Sequence, residues 1–129
     1  MEDSQIFRWV PLDCMDEILP EEDIVILSIA LTEETRGLMN VVRLAEMKTG
    51  SVLVNVSRGA IIDEKALVQK LKQGKFRGAA LDVVEEEPLS AESELWDLQG
   101  VIISPHNSFV GDGTKERMFD LICSNLKRV

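Results

Sequence analysis

Four short apolar runs constrain what this chain can fold into. They cover residues 24–27, 52–56, 79–84 and 101–103, and nearly every position in them is aliphatic or β-branched. Strands that are apolar at almost every position are typical of a parallel sheet with both faces covered by helices. The pattern therefore predicts four strands of such a sheet, buried on both faces.

Helical patterns lie between several of these runs. Asn40 precedes one short apolar pattern, and Asp63 precedes a longer one over residues 64–73 that is followed by Gly74. Asn and Asp side chains accept the free N–H groups of a first helical turn, and Gly is favoured just beyond a last turn. Alternation of strands and helices predicts an α/β fold with right-handed crossovers.

Other segments give weaker patterns. A last helix is predicted to begin near Asp112 or Thr114, and its apolar stripe consists of Met118, Ile122 and Leu126. Residues 94–98 suit a single turn, residues 14–19 suit a helical turn, and residues 6–10 suit one more strand.

Charge and residue counts exclude several kinds of function. The chain has 14 Lys and Arg against 23 Asp and Glu, and a net charge of -9 disfavours binding to the phosphates of nucleic acid. Its apolar runs are too short to cross a bilayer, and its acidic start is unlike a signal peptide, so we expect a cytoplasmic protein. Two distant cysteines and one histidine do not form a conventional zinc site, so no metal is predicted.

Polar side chains follow three of the predicted strands. Arg58 follows the second strand, Asp82 and the acidic run 85–87 come at the end of the third, and His106 follows the fourth. Because parallel strands end at one edge of a sheet, these groups are expected to converge there. Arg suits a carboxylate, His moves a proton near neutral pH, and a carboxylate orients an imidazole. The set suits reversible hydride transfer between a 2-hydroxy acid and a 2-keto acid.

Each of these residues also has a simpler interpretation. Arg58 could be a solvated charge or a helix cap, His106 a plain turn residue, and residues 85–87 a solvated acidic face. Asp82 is harder to explain in this way, because a carboxylate within an apolar run needs hydrogen-bond partners.

Three spaced blocks resemble one known family. Residues 54–67, 78–89 and 102–106 resemble the signatures of the D-isomer-specific 2-hydroxyacid dehydrogenases, and residues 23–27 resemble the segment before them. The resemblance covers about residues 16–126. It implies a partial Rossmann-type doubly wound parallel sheet without its first strands and glycine-rich loop. Residues 1–129 would then form a truncated dinucleotide-binding domain.

The resemblance also implies roles for individual residues. Arg58 would bind the substrate carboxylate, His106 would be the acid/base, and Glu87 would pair with His106. Asp82 would face the nicotinamide of NAD or NADP. The residues implied to line the cofactor are Val56, Ser57, Arg58, Asp82, His106, Asn107 and Ser108. The substrate would be a small D-2-hydroxy or 2-keto acid, whose identity the sequence does not determine.

One departure from the family is large. No G-x-G-x-x-G segment occurs in the sequence, although that loop normally holds the pyrophosphate of the cofactor. We therefore expect the chain by itself to bind NAD weakly or not at all and to be inactive. An uncovered strand at residues 24–27 predicts a homo-oligomer. Two alternatives stay open: an interaction module like the family's corepressor relatives, and an inactive truncated gene product.

Overall fold

The computed structural model describes residues 10–127. Its α-helices are α1 (Met15–Ile18), α2 (Val41–Glu46), α3 (Glu64–Lys72) and α4 (Thr114–Leu126), and its strands are β1 (Ile24–Leu27), β2 (Val52–Asn55), β3 (Gly78–Leu81) and β4 (Val101–Ile103). Three 3-10 helices cover Leu12–Cys14, Gly59–Ile61 and Glu94–Asp97. Of the extra strand predicted at residues 6–10, residues 6–9 lie outside the described part and Val10 is in no strand.

The four strands form one parallel sheet in the order β1-β2-β3-β4. This confirms the predicted α/β fold with a parallel sheet, but two strands end earlier than predicted. β2 ends at Asn55 and β3 ends at Leu81. Beyond these points the Asn55 and Asp82 side chains accept hydrogen bonds from nearby loops, which draws the chain out of regular pairing.

The predicted caps of α2 and α3 are confirmed. The Asn40 side chain accepts hydrogen bonds from the N–H groups of Val42 and Arg43, both at 3.0 Å. The Asp63 side chain accepts one from the N–H of Ala66 at 3.0 Å. These bonds satisfy donors that have no partner within a helix, so each cap fixes where its helix begins.

The core lies on one side of the sheet. Leu27, Leu53 and Leu81 point to that side and are buried, together with Leu44 of α2 and Leu67 of α3. Crossovers of one hand between successive strands place both connecting helices on the same face, and α2 and α3 contact each other.

The opposite face is open, so the expectation that both faces are buried is wrong for the described residues. Ile24, Ile26 and Ile102 are 54 %, 62 % and 69 % exposed. The register places Ile26, Val54, Ala80 and Ile102 in one row across the four strands. We call this apolar surface the open face.

Helix α4 is also exposed. It begins at Thr114, as predicted, but Met118, Ile122 and Leu126 of its apolar stripe are all more than half exposed. The stripe therefore packs against no core within residues 10–127. In the same part of the chain, no helix is both long and apolar enough to cross a membrane.

Candidate active site

Asn55 organises the loop that carries Arg58. Its side chain is fully buried at the end of β2. The Oδ1 atom accepts hydrogen bonds from the backbone N–H of Ser57 at 3.1 Å and from its hydroxyl at 2.9 Å, and Nδ2 donates to the Arg58 carbonyl at 3.0 Å. The loop is thus folded around one amide side chain, which leaves the Arg58 side chain exposed.

Two backbone segments touch beside Arg58. A Cβ added at Gly59 would lie 1.8 Å from the carbonyl oxygen of Val84. Only glycine permits this approach, which brings the Arg58 loop against the acidic loop that follows β3. Gly78 permits a similar approach at the start of β3, since a Cβ there would lie 2.3 Å from the carbonyl oxygen of Gly100.

His106 and Glu87 form a pair. The His106 Nδ1 lies 2.8 Å from Oε2 of Glu87, and the other carboxylate oxygen of Glu87 accepts the backbone N–H of Val84 at 3.3 Å. The hydrogen bond from His106 is the main reason that the pKa of Glu87 lies below its usual range, with smaller support from the Val84 amide and the positive charge of Arg58. Both side chains of the pair are about 40 % exposed, so solvent reaches them.

Asp82 lies behind this pair and is only 5 % exposed. Its carboxylate accepts hydrogen bonds from the Ser104 hydroxyl at 2.6 Å and from the backbone N–H groups of Asn107 and Ser108 at 2.9 and 3.0 Å. Burial alone would raise the pKa of Asp82, but these donors outweigh it and hold the pKa far below the ordinary aspartate value. Asp82 is therefore ionised and hydrogen-bonded, as a buried carboxylate must be.

An open pocket adjoins the pair. Its volume is about 520 Å³, and His106 and Glu87 line it together with apolar residues that include Leu89, Trp96 and Pro105. A mostly apolar cavity with a few polar groups at one place is typical of a small-molecule site. No group of three or more His, Cys, Asp or Glu side chains suited to a metal ion occurs among the described residues.

The fold brings the predicted catalytic set to one edge of the sheet. Arg58, Glu87 and His106 follow β2, β3 and β4, and His106 contacts Glu87 directly. The predicted cofactor-lining residues divide by exposure: Val56, Asn107 and Ser108 are exposed, whereas the Ser57 side chain is buried against Asn55.

Sequence reasoning assigned no role to Asn55 or Ser104. An amide at the last position of an apolar strand was the available signal for Asn55, because a buried amide needs partners nearby. For Ser104 no signal existed in the sequence, since its partner Asp82 is 22 residues away.

Comparison with known proteins identifies the family. The model of the NAD binding domain of D-isomer specific 2-hydroxyacid dehydrogenases matches residues 3–108. The chain belongs to this family. A glyoxylate reductase of Thermococcus kodakarensis is 43% identical over 112 residues, which are 87% of this chain and 33% of that protein. A glyoxylate/hydroxypyruvate reductase B of Pectobacterium carotovorum is 40% identical over 107 residues, 83% of this chain and 32% of that protein.

Solved dehydrogenases of the family share the fold. The apo form of D-mandelate dehydrogenase from Rhodotorula graminis matches with a TM-score of 0.82 and 33% identity, over 94% of this chain and 34% of that one. A D-isomer specific 2-hydroxyacid dehydrogenase from Xanthobacter autotrophicus in complex with NADPH and MES matches with a TM-score of 0.71 and 43% identity, over 74% of this chain and 31% of that one. The fold is thus a partial Rossmann-like α/β fold of the dehydrogenase family.

The chain spans about a third of the length of the curated relatives that it matches. Their printed names are those of reductases. These findings support an oxidoreductase fragment rather than an interaction module.

Proposed function

We propose that this chain supplies the substrate carboxylate site and the acid/base of a D-2-hydroxyacid dehydrogenase. The observation that carries the proposal is the 2.8 Å contact between His106 Nδ1 and Glu87 Oε2 at the edge of the sheet where Arg58 is exposed. The names of the relatives point to a small 2-keto acid such as glyoxylate.

Each residue of the site has a separate role in the proposed reaction. The Arg58 guanidinium binds the carboxylate of the 2-keto acid in a two-point contact. Glu87 accepts a hydrogen bond from the Nδ1–H of His106. When the ring carries a proton on each nitrogen, Nε2 gives its proton to the keto oxygen during reduction, and it takes one back during oxidation. When bound, NAD(P)H supplies the hydride.

The edge of the sheet that carries Asp82 has the polar groups that a nicotinamide end needs. Oδ1 of Asp82 accepts hydrogen bonds from the Ser104 hydroxyl and the Asn107 N–H, and Oδ2 accepts one from the Ser108 N–H. Hydrogen bonding by the Ser108 side chain also lowers the pKa of Asp82, so the carboxylate is ionised and orders this edge. The exposed Val56 and Asn107 flank the same edge. These residues fit the nicotinamide end of NAD or NADP.

We further propose that the 129-residue chain by itself holds the cofactor weakly and does not turn over. The sequence contains no G-x-G-x-x-G loop to bind the pyrophosphate. In an NADH titration followed by tryptophan fluorescence, we expect no saturation below millimolar NADH. A clear rate of NADH oxidation with glyoxylate would contradict this second proposal and support the first.

The carboxylate site can be tested without turnover. His106 is the single histidine, so its ring signals in an NMR spectrum report on this site alone. Glyoxylate at millimolar concentration should shift them, and Arg58→Ala should abolish the shift. Arg36→Ala removes another exposed arginine, which precedes α2 and is not among the residues of the site, so it should leave the shift unchanged. A shift that survives Arg58→Ala would refute the assignment of Arg58.

A homo-oligomer is proposed for the same chain. The open face is apolar, and α4 carries an apolar stripe that packs on nothing within residues 10–127. A second copy can therefore offer a helix of matching apolar character to the open face.

A further inference from the structure

Four hydrogen bonds tie the loop after β4 to a single residue, Asp82. Its carboxylate accepts from Ser104, Asn107 and Ser108, and its backbone carbonyl accepts from the His106 N–H at 2.9 Å. Residues on both sides of His106 are thus held by one buried side chain. No other side chain in the described part of the molecule accepts this many donors from the loop.

The backbone of His106 shows why the loop needs such an anchor. Its φ is 52°, in the left-handed region that residues with a Cβ rarely adopt. Such a conformation persists only where surrounding contacts enforce it. The bonds to Asp82 flank His106 on both sides, so they set the direction in which its Cα–Cβ bond points.

We propose that Asp82 is a positioning residue, whose carboxylate holds residues 104–108 so that the His106 ring turns Nδ1 toward Glu87 and leaves Nε2 free. The statement that Nε2 meets a substrate rests on the function proposed above. The orientation of the ring does not depend on that function, and it can be measured on the unliganded chain.

The geometry around the ring supports this assignment. Glu87 is on an exposed loop, and its carboxylate meets the ring at Nδ1, 2.8 Å away. Nε2 has no hydrogen-bond partner among the described residues. The hydrogen bonds lower the pKa of Asp82, so the loop is held by charge-assisted bonds to an ionised carboxylate.

The tautomer of neutral His106 tests the proposal. With Nδ1–H donating to Glu87, a 15N-labelled chain at about pH 9 should show the Nδ1–H tautomer. Asp82→Asn keeps the side-chain shape but replaces one acceptor oxygen with an N–H donor that opposes the loop amides. We expect a mixture of the two tautomers in this variant, with amide exchange of Asn107 and Ser108 about tenfold faster or more.

Two further variants complete the test. Asp97→Asn makes the same change at an exposed aspartate in the 3-10 helix Glu94–Asp97. It should alter neither the tautomer of His106 nor the amide exchange of the loop. Ser104→Ala removes one of the three donors to the carboxylate and should produce a detectable fraction of the Nε2–H tautomer.

The outcomes separate positioning from a purely structural role. Faster exchange without a change of tautomer in Asp82→Asn would mean that Asp82 only stabilises the loop, and it would overturn the proposal. If Asp82→Asn does not fold, Ser104→Ala decides, and an unchanged tautomer there overturns the proposal. Because neither measurement uses substrate or cofactor, failure of the proposed dehydrogenase function would leave the result intact.

Discussion

Gly59 lies so close to Val84 that an added Cβ would come within 1.8 Å of the Val84 carbonyl oxygen. The neighbouring atoms are backbone, which cannot rotate away as a flexible side chain could. This contact joins the loop of Arg58 to the loop of Glu87, so the spacing of the two charged groups depends on the absence of one methyl group.

Gly59→Ala should therefore both destabilise the fold and separate Arg58 from Glu87. We expect a loss of about 3 kcal/mol in the free energy of unfolding, measured by urea denaturation, because the clash forces the backbone to move. Gly111→Ala is the matched control, since its Cβ would meet only a side-chain atom of Thr114 at 3.7 Å. Equal stabilities of the two variants would contradict the importance of the Gly59 contact.

Glu87→Gln should lower stability in a pH-dependent way. The pKa of Glu87 is depressed, chiefly by its hydrogen bond from His106. Its contribution to the free energy of unfolding is therefore complete above the pKa of an unfolded glutamate. It is lost as the pH falls through the folded pKa. We expect a deficit of less than about 1 kcal/mol at pH 6, because the pair is exposed to solvent, and a smaller deficit near pH 3.5.

Urea denaturation at both pH values measures this deficit, and Glu86→Gln provides the control at an exposed neighbouring position. If the stability deficit of Glu87→Gln grew as the pH fell, it would contradict the predicted pH dependence.

Asn55→Asp should have the opposite pH dependence. The introduced carboxyl would be buried and would face the Arg58 carbonyl, to which the amide now donates at 3.0 Å. The variant lacks the Nδ2 donor, and burial raises the pKa of the new carboxyl in the folded state. The destabilisation therefore grows as the pH rises above the pKa of an unfolded aspartate. We expect a loss of about 2 kcal/mol at pH 7 and less at pH 4, where a protonated carboxyl can still donate. A loss that is constant between these pH values would refute the role of the Nδ2 donor.

The double variant Ile26→Lys with Ile102→Lys tests the oligomer. Both side chains are on the open face and more than 60 % exposed, at 62 % and 69 %, so charging them costs the isolated fold little. We expect light scattering to show an oligomer for the unmodified chain and a monomer for the variant. Val42→Lys, at a position 62 % exposed on α2, should leave the oligomer unchanged. A monomeric unmodified chain at high concentration would contradict the proposal.

Much of the fold could be predicted because its signals are local. The β-branched runs at residues 24–27 and 101–103 became β1 and β4 without change, and Asn40 and Asp63 cap the helices that they precede. A cap bonds to residues two or three positions away, so the sequence contains both partners. The convergence of Arg58, Glu87 and His106 followed from the rule that parallel strands end at one edge.

Other features depended on residues far apart in the sequence. Nothing near Ile26 or Ile102 indicates that they are exposed, because burial is decided by which helices cover the sheet, and α2 and α3 lie on the same face. The ends of β2 and β3 were missed for a similar reason. At these ends the side chains of Asn55 and Asp82 accept hydrogen bonds from loop residues, and the regular pairing of the strands stops.

The sequence alone determined the parallel α/β fold, the helix caps and the family to which the chain belongs, because apolar periodicity, capping residues and signature blocks are short-range patterns. Only the tertiary structure decided that Gly59 abuts Val84, that Asp82 holds the loop of His106, and that one face of the sheet stays open. These features depend on distances of a few ångströms between residues about 20 or more positions apart, which packing sets and the linear order of residues does not encode.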